Sequence, residues 1–185
     1  MKKEPFISIC VLSYNRPETL ARLLETIDTR YTYDIEVVIC EDASPRRQEI
    51  RLVVNTFSLT QDYPVRYFEN EQNLGYDGTF NELCKNALGK WMVFMGDDDE
   101  FAPLAFDKMF TFLQHNPELG YVMKSHYLLH TSKQKEIFRY FKGTKFFPSG
   151  LDTYAMLFRR SVFIAGFTIR REFALPFLTN RFDGT

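Results

Sequence analysis

The chain has 185 residues, 45% of them hydrophobic, with 23 basic and 24 acidic side chains for a formal net charge of -1. Such a length and apolar content build one sizeable core, and so a single domain over 1–185. There is no basic excess to argue for nucleic acid as a partner, and no run approaches the roughly 20 apolar residues of a membrane span.

The first segment, MKKEPFISICVLSYN, starts basic, but its apolar run is short and no small-residue cleavage site follows, so it reads as a strand over 6–12 rather than a signal peptide. SYNRPETLARLLETID then predicts a helix. Pro17 suits a first helical turn, and Leu20, Leu23, Leu24 and Ile27 recur at helical spacing. IEVVIC (35–40) is a second buried strand, and EDASPRRQEIRLVVNTF turns into a second helix, with Asp42 or Ser44 as its cap and Pro45 at its first position. VRYFEN (65–70) is a third strand. NLGYDGTFNELCKNALGK gives a glycine-containing loop and a helix to about Ala87. WMVFM (91–95) is a fourth strand, followed by the acids Asp97, Asp98, Asp99 and Glu100 and a helix from near Ala102.

Strand and helix thus alternate four times. Short apolar strands without alternation, joined by helical crossovers, predict an α/β fold with a mostly parallel sheet and helices on both faces. Beyond residue 116 the pattern is less regular. A longer strand over 121–130, a hairpin or insertion over 131–150, a short helix over 151–158, a strand over 162–169 and a last helix in RREFALPFL are expected. The cysteines Cys10, Cys40 and Cys84 lack zinc-type spacing, and an odd number of buried thiols fits a reducing cytoplasm.

In parallel sheets ligands bind beyond the carboxyl ends of the strands. Those ends carry Ser13-Tyr14-Asn15-Arg16, Glu41-Asp42-Ala43-Ser44, Asn73-Leu74-Gly75 with Asn81 following, and Gly96 through Glu100. Crowded acids need an offset, because two carboxylates about 4 Å apart repel by roughly 4 kcal/mol at an effective dielectric near 20. A hard cation bridging to phosphate oxygens would supply it, as Mg²⁺ or Mn²⁺ does. So would solvation at an exposed turn in which an aspartate caps the next helix. Asp42 suits the N–H of a base or a ribose hydroxyl, and the amides near Gly75 suit a base or sugar.

The stretches ISICVLSYNRPETLARLLETI, IEVVICEDASP and NEQNLGYDGTFNELCKNALGKWMVFMGDDDE resemble, in order and spacing, family 2 glycosyltransferases. The resemblance implies the Rossmann-like glycosyltransferase A fold, with residues 1–115 as the nucleotide-sugar half and 116–185 as part of the acceptor half. It implies metal-dependent, inverting transfer from a nucleoside diphosphate sugar, UDP-linked by preference, to a glycan or lipid-linked acceptor in surface polysaccharide synthesis. Ser13, Tyr14, Asn15, Arg16, Asp42, Asn73, Gly75, Asn81, Asp97 and Asp98 would bind the donor. Asp99, with Asp98, would hold Mn²⁺ or Mg²⁺.

Two departures stand out. Aligned on the last acid, the family's usual Asp-x-Asp-Asp puts Gly96 in the place of its first aspartate, whereas aligned on the first acid it pairs Asp97 with Asp99; and the chain stops three residues after Phe182, where the general base is awaited. The base is therefore expected beyond Thr185, with Asp183 the candidate inside the chain. A nucleotidyltransferase and a non-catalytic donor-binding fragment are the alternatives. SYNRPETL has no glycine for the phosphate loop of the former, and the missing base keeps the latter open. Residues 133–147 hold five basic residues, one acid and five aromatics. This segment either meets an anionic lipid-linked acceptor at the inner face of a membrane or packs its aromatics inward as a hairpin, and the second is preferred. His126 and His130 share a face, but without a nearby third ligand a structural role is favoured over metal binding.

Overall fold

A computed structural model describes residues 4–27, 34–129, 135–138, 141–157 and 164–178. In the first half, β1 (Ile7–Ser13), α1 (Pro17–Glu25), β2 (Ile35–Glu41), α2 (Arg47–Ser58), β3 (Val65–Glu69), α3 (Gly75–Asn86), β4 (Trp91–Gly96) and α4 (Ala105–His115) alternate as expected. They are followed by β5 (Tyr121–Val122), β6 (His126–Leu129), β7 (Lys135–Phe138), α5 (Leu151–Leu157), β8 (Phe167–Arg170) and α6 (Arg171–Ala174).

The main sheet has the order β3-β2-β1-β4-β8-β5. Its first four strands are parallel, while β8 runs antiparallel to β4 and to β5. The non-alternating sequence of the central strands follows from burial on both faces. Ile7, Ile9 and Val11 of β1 pack with Leu20, Leu23 and Leu24 of α1 and Phe106 and Phe110 of α4. Cys10 points the other way, into a second cluster with Val38, Leu83, Cys84 and Phe94 under α3. All three cysteines are free and buried.

Helix starts differ from the sequence expectation in two places. Helix α2 begins at Arg47, so Pro45 lies before it, and the Ser44 hydroxyl makes no cap. The Glu41 carboxylate takes over, accepting the N–H groups of Ala43 (3.1 Å) and Ser44 (2.6 Å), while Ala43 turns through φ 56°. Helix α4 begins at Ala105 after a left-handed Leu104, with no side-chain cap, so no aspartate of the acidic run caps it.

The single long strand expected over 121–130 is two strands. Between them Lys124 turns inward, its Nζ meeting Thr168 Oγ1 at 2.9 Å and Met109 Sδ at 2.6 Å. β6 and β7 pair antiparallel, so the second part of the strand expected over 121–130 pairs with Lys135–Phe138, within the hairpin or insertion expected over 131–150. The strand expected over 162–169 is described from 164 and pairs as β8 over Phe167–Arg170. The last helix is one turn, because Pro176 cannot donate its share of the ladder and the chain tightens into a 3-10 turn at Leu175–Phe177.

Candidate active site

Backbone hydrogen bonds bring the four polar strand ends onto one edge. The Asp42 N–H donates to the Ser13 carbonyl at 3.1 Å, Asn70 N–H to the Glu41 carbonyl at 2.9 Å, and Asp97 N–H to the Leu12 carbonyl at 3.1 Å. Residues far apart in sequence therefore share one rim, as a parallel sheet requires.

At its centre Asp97 is fully buried at the end of β4. Its Oδ2 accepts the Tyr14 N–H at 2.8 Å, and its Oδ1 lies 2.6 Å from an Arg16 guanidinium nitrogen. The other arm of the same guanidinium meets Asp98 Oδ2 at 2.5 Å. Asp99 folds back, and its Oδ2 accepts the Gly96 N–H at 3.0 Å. Gly96 lies close under the Asp98 and Asp99 carboxylates. A Cβ at this position would stand 2.9 Å from Asp98 Oδ1 and 3.1 Å from Asp99 Oδ2.

Burial raises the Asp97 carboxyl to about 6, against the pull of the Tyr14 N–H and Arg16, with the Asp98 charge adding to the rise. Burial also raises Asp99, helped by Asp98 and opposed by the Gly96 N–H. The repulsion inside the acidic run is offset in this structure by a guanidinium, a partner that sequence reasoning did not weigh.

The second half of the rim is built around Asp42. It is buried, and its Oδ1 accepts the Leu74 N–H at 2.7 Å and Asn70 Nδ2 at 2.9 Å, while its Oδ2 accepts the Gly75 N–H at 2.9 Å. Gly75 has φ 69°, a left-handed conformation glycine adopts without strain, and its N–H is shared with Asn73 Oδ1 at 2.9 Å. Asp42 thus ties the Asn73–Gly75 loop to β2, and Oδ2 retains acceptor capacity for a further donor. Beneath it, fully buried Glu41 is paired with Arg47 at 2.8 Å.

Of the other expected residues, Asn15 is exposed and left-handed at φ 60°, Ser13 is buried with its hydroxyl unpartnered, and Asn81 is buried on α3 behind the loop. Asp183 and His130 lie outside the described residues. His126 stacks on Phe138 at 5.1 Å between ring centroids. Sequence reasoning places Glu41 at the rim without a role and misses Asn70 and Tyr76, whose hydroxyl is pushed up to about 12 by partial burial and by the charges of Asp77 and Asp99.

Among the described residues, no three His, Cys, Asp or Glu side chains converge as a preformed metal cage. The donor set nevertheless suits a hard cation. Asp98 and Asp99 offer carboxylate oxygens side by side over Gly96, which leaves them the room a Cβ would take.

An α/β sheet with acids at the carboxyl edge, a buried aspartate pinned to the loop after β1, and a glycine-turned loop after β3 together make the kind of edge at which open α/β sheets bind ligands. The family model for glycosyl transferase family 2 matches residues 8–167, and the chain belongs to that family. An uncharacterized glycosyltransferase of Haemophilus influenzae is 31% identical over 116 residues, covering 63% of this chain and 37% of that protein. The abequosyltransferase RfbV of Salmonella typhimurium is 26% identical over 113 residues, covering 61% and 34%. A Campylobacter jejuni GalNAc(5)-diNAcBac-PP-undecaprenol beta-1,3-glucosyltransferase is 28% identical over 97 residues, covering 52% and 30%. The chain thus spans about a third of the length of these relatives. Among solved structures, the mannosyltransferase PcManGT of Pyrobaculum calidifontis, in complex with GDP-Man and Mn²⁺, superposes with a TM-score of 0.56 at 21% identity, over 64% of this chain and 35% of that one. This likeness shows the shared glycosyltransferase A fold.

Proposed function

We propose that this chain is the donor-binding part of a glycosyltransferase that moves a sugar from a nucleoside diphosphate sugar, UDP-linked by preference, to a glycan or lipid-linked acceptor in surface polysaccharide synthesis. The observation that carries this reading is the joining of the β1 loop to the β4 acids: Tyr14 N–H and the Arg16 guanidinium both close on Asp97. One unit then presents a nucleoside loop and a carboxylate cluster to the same ligand. The nucleotidyltransferase alternative is set aside by the family.

Ser13 to Arg16, Asp42, Asn73, Gly75 and Asn81 form the nucleoside side, with Asp97 and Asp98 towards the ribose. Asp99 and Asp98 are the oxygen donors for Mn²⁺ or Mg²⁺. A divalent cation held there would supply Lewis-acid neutralisation of the diphosphate leaving group. The rim fixes the donor so that an acceptor hydroxyl can approach the anomeric carbon from the opposite side, which inverts it in one displacement. The carboxylate that deprotonates this hydroxyl lies outside the described residues, where Asp183 falls in the stretch resembling the family's base segment.

A lipid-linked acceptor suits the segment that follows β7 in the chain, where Phe146, stacked on Phe112 of α4, is 61% exposed and Leu151 84% exposed, with Lys142 and Lys145 close in sequence. The undecaprenol-linked substrate in the name of the Campylobacter relative supports the same class of acceptor. Among the described residues no helix is long and apolar enough to cross a membrane.

Calorimetric titration of the chain with UDP-, GDP-, CDP- and dTDP-sugars in Mn²⁺, repeated in EDTA, tests the reading. Binding of one nucleotide class in Mn²⁺ that EDTA abolishes is expected. Absence of binding for all four in both conditions contradicts it.

A further inference from the structure

Arg16 holds both Asp97 and Asp98 with one guanidinium, at 2.6 and 2.5 Å. The two acids differ in what else restrains them. Asp97 keeps the Tyr14 N–H on its second oxygen and so stays anchored if the guanidinium leaves. Asp98 is 51% exposed and swings free. Arg16 itself has a fixed backbone and a free head. Its carbonyl accepts the Leu20 N–H at 3.1 Å and the Thr19 hydroxyl at 3.2 Å at the start of α1, whereas its side chain is 49% exposed. A rotation of that side chain alone releases both acids, with no change of backbone. Guanidinium forks fit carboxylate and diphosphate oxygens equally well.

We propose that Arg16 is an internal counter-ion that neutralises Asp97 and Asp98 in the ligand-free protein and transfers to the donor's diphosphate when a divalent cation takes Asp98 together with Asp99. The proposal rests on the donor-site reading above and adds the order of charge exchange at that site. Without nucleotide, a cation competes with Arg16, whose guanidinium gives up its two carboxylate bonds without gaining a diphosphate, so metal alone binds weakly. With a diphosphate present, the released guanidinium gains an anionic partner, and metal and nucleotide strengthen each other. The acids are thereby kept from taking up cations until a donor arrives.

The test is Mn²⁺ affinity measured by electron paramagnetic resonance of free Mn²⁺, with and without UDP or GDP, for wild type, Arg16→Gln and Arg16→Lys. In wild type the nucleotide should tighten Mn²⁺ binding strongly. In Arg16→Gln, Mn²⁺ alone should bind on the order of 10-fold more tightly than in wild type. The enhancement by nucleotide should fall by a similar factor, within the range usual for coupled sites. Arg16→Lys, which keeps the charge but not the fork, should lie between, and it carries the test if thermal melts show that Arg16→Gln does not fold. If the variants leave Mn²⁺ affinity unchanged or weaker, Arg16 is a structural brace and the proposal is overturned. If Mn²⁺ alone tightens but the nucleotide enhancement is intact, Arg16 competes without transferring, which also overturns it. If wild type binds neither nucleotide with Mn²⁺, the donor-site reading fails first and this proposal with it.

Discussion

Asp97 sits fully buried at the end of β4, and its carboxyl titrates near 6 because burial outweighs the Tyr14 N–H and Arg16. The folded protein therefore takes up this proton before the unfolded chain does as pH falls. Through this group, stability rises between pH 6 and the ordinary value of 3.8 and is lower above 6. Asp97→Asn should remove that increment. The melting temperature of wild type should gain on the variant as pH falls from 7 towards 4.5, and parallel profiles over this window would contradict the assignment. Asp42 offers a second test at this scale. Its three bonds to the loop after β3 mean that Asp42→Ala frees the Leu74 N–H, leaves the Gly75 N–H to Asn73 alone and removes any bond to a base. Donor binding should weaken by about 1–3 kcal/mol, the range for a hydrogen bond to a charged group. Loss confined to nucleotides, with a base-free sugar phosphate unaffected, marks a base contact. Equal loss for both ligands marks the loop tether alone.

The strand-end loops are held by short-range devices rather than by packing. Glu41 shows this best: one buried carboxylate accepts two backbone N–H groups and pairs with Arg47, and so sets both the turn before α2 and the place of Asp42. On the far side of β4, Lys124 fixes the junction between β5 and β6 against β8 and α4 through Thr168 and Met109. Burial lowers its ammonium from 10.5 to about 7. A lysine depressed in this way costs the fold most at and below pH 7, and the cost fades as pH rises towards 10.5. Lys124→Met, which conserves the apolar stem, should therefore raise the melting temperature at pH 6.5 and show a shrinking advantage by pH 9.5. A variant less stable than wild type at pH 6.5 would show that the Thr168 contact matters more than the desolvation.

At the scale of the molecule, β1 to β4 and α1 to α4 are legible in the sequence because central parallel strands are buried on both faces and write themselves as uninterrupted apolar runs. The rim is legible for the same reason, since strand ends in one parallel sheet must share an edge. The region after residue 116 is harder to read. β5 is two residues long, β8 is an antiparallel addition, and the break at Lys124 depends on Thr168, 44 positions away. Pairing within the site was hidden in the same way. That Arg16 would answer Asp97 and Asp98 follows from β1 lying beside β4, a neighbour relation that spacing along the chain does not express.

The central claim is that the carboxylates after β4 hold a divalent cation for a nucleoside diphosphate sugar. Donor affinity in Mn²⁺, measured by calorimetry for wild type and for Asp97→Asn, Asp98→Asn and Asp99→Asn, tests it most directly, with thermal melts confirming each fold. Asp99→Asn should abolish Mn²⁺-dependent binding, while its melting temperature stays equal to or above that of wild type because a raised, half-buried carboxyl has been neutralised. Donor affinity in Mn²⁺ that is unchanged in all three variants would contradict the account.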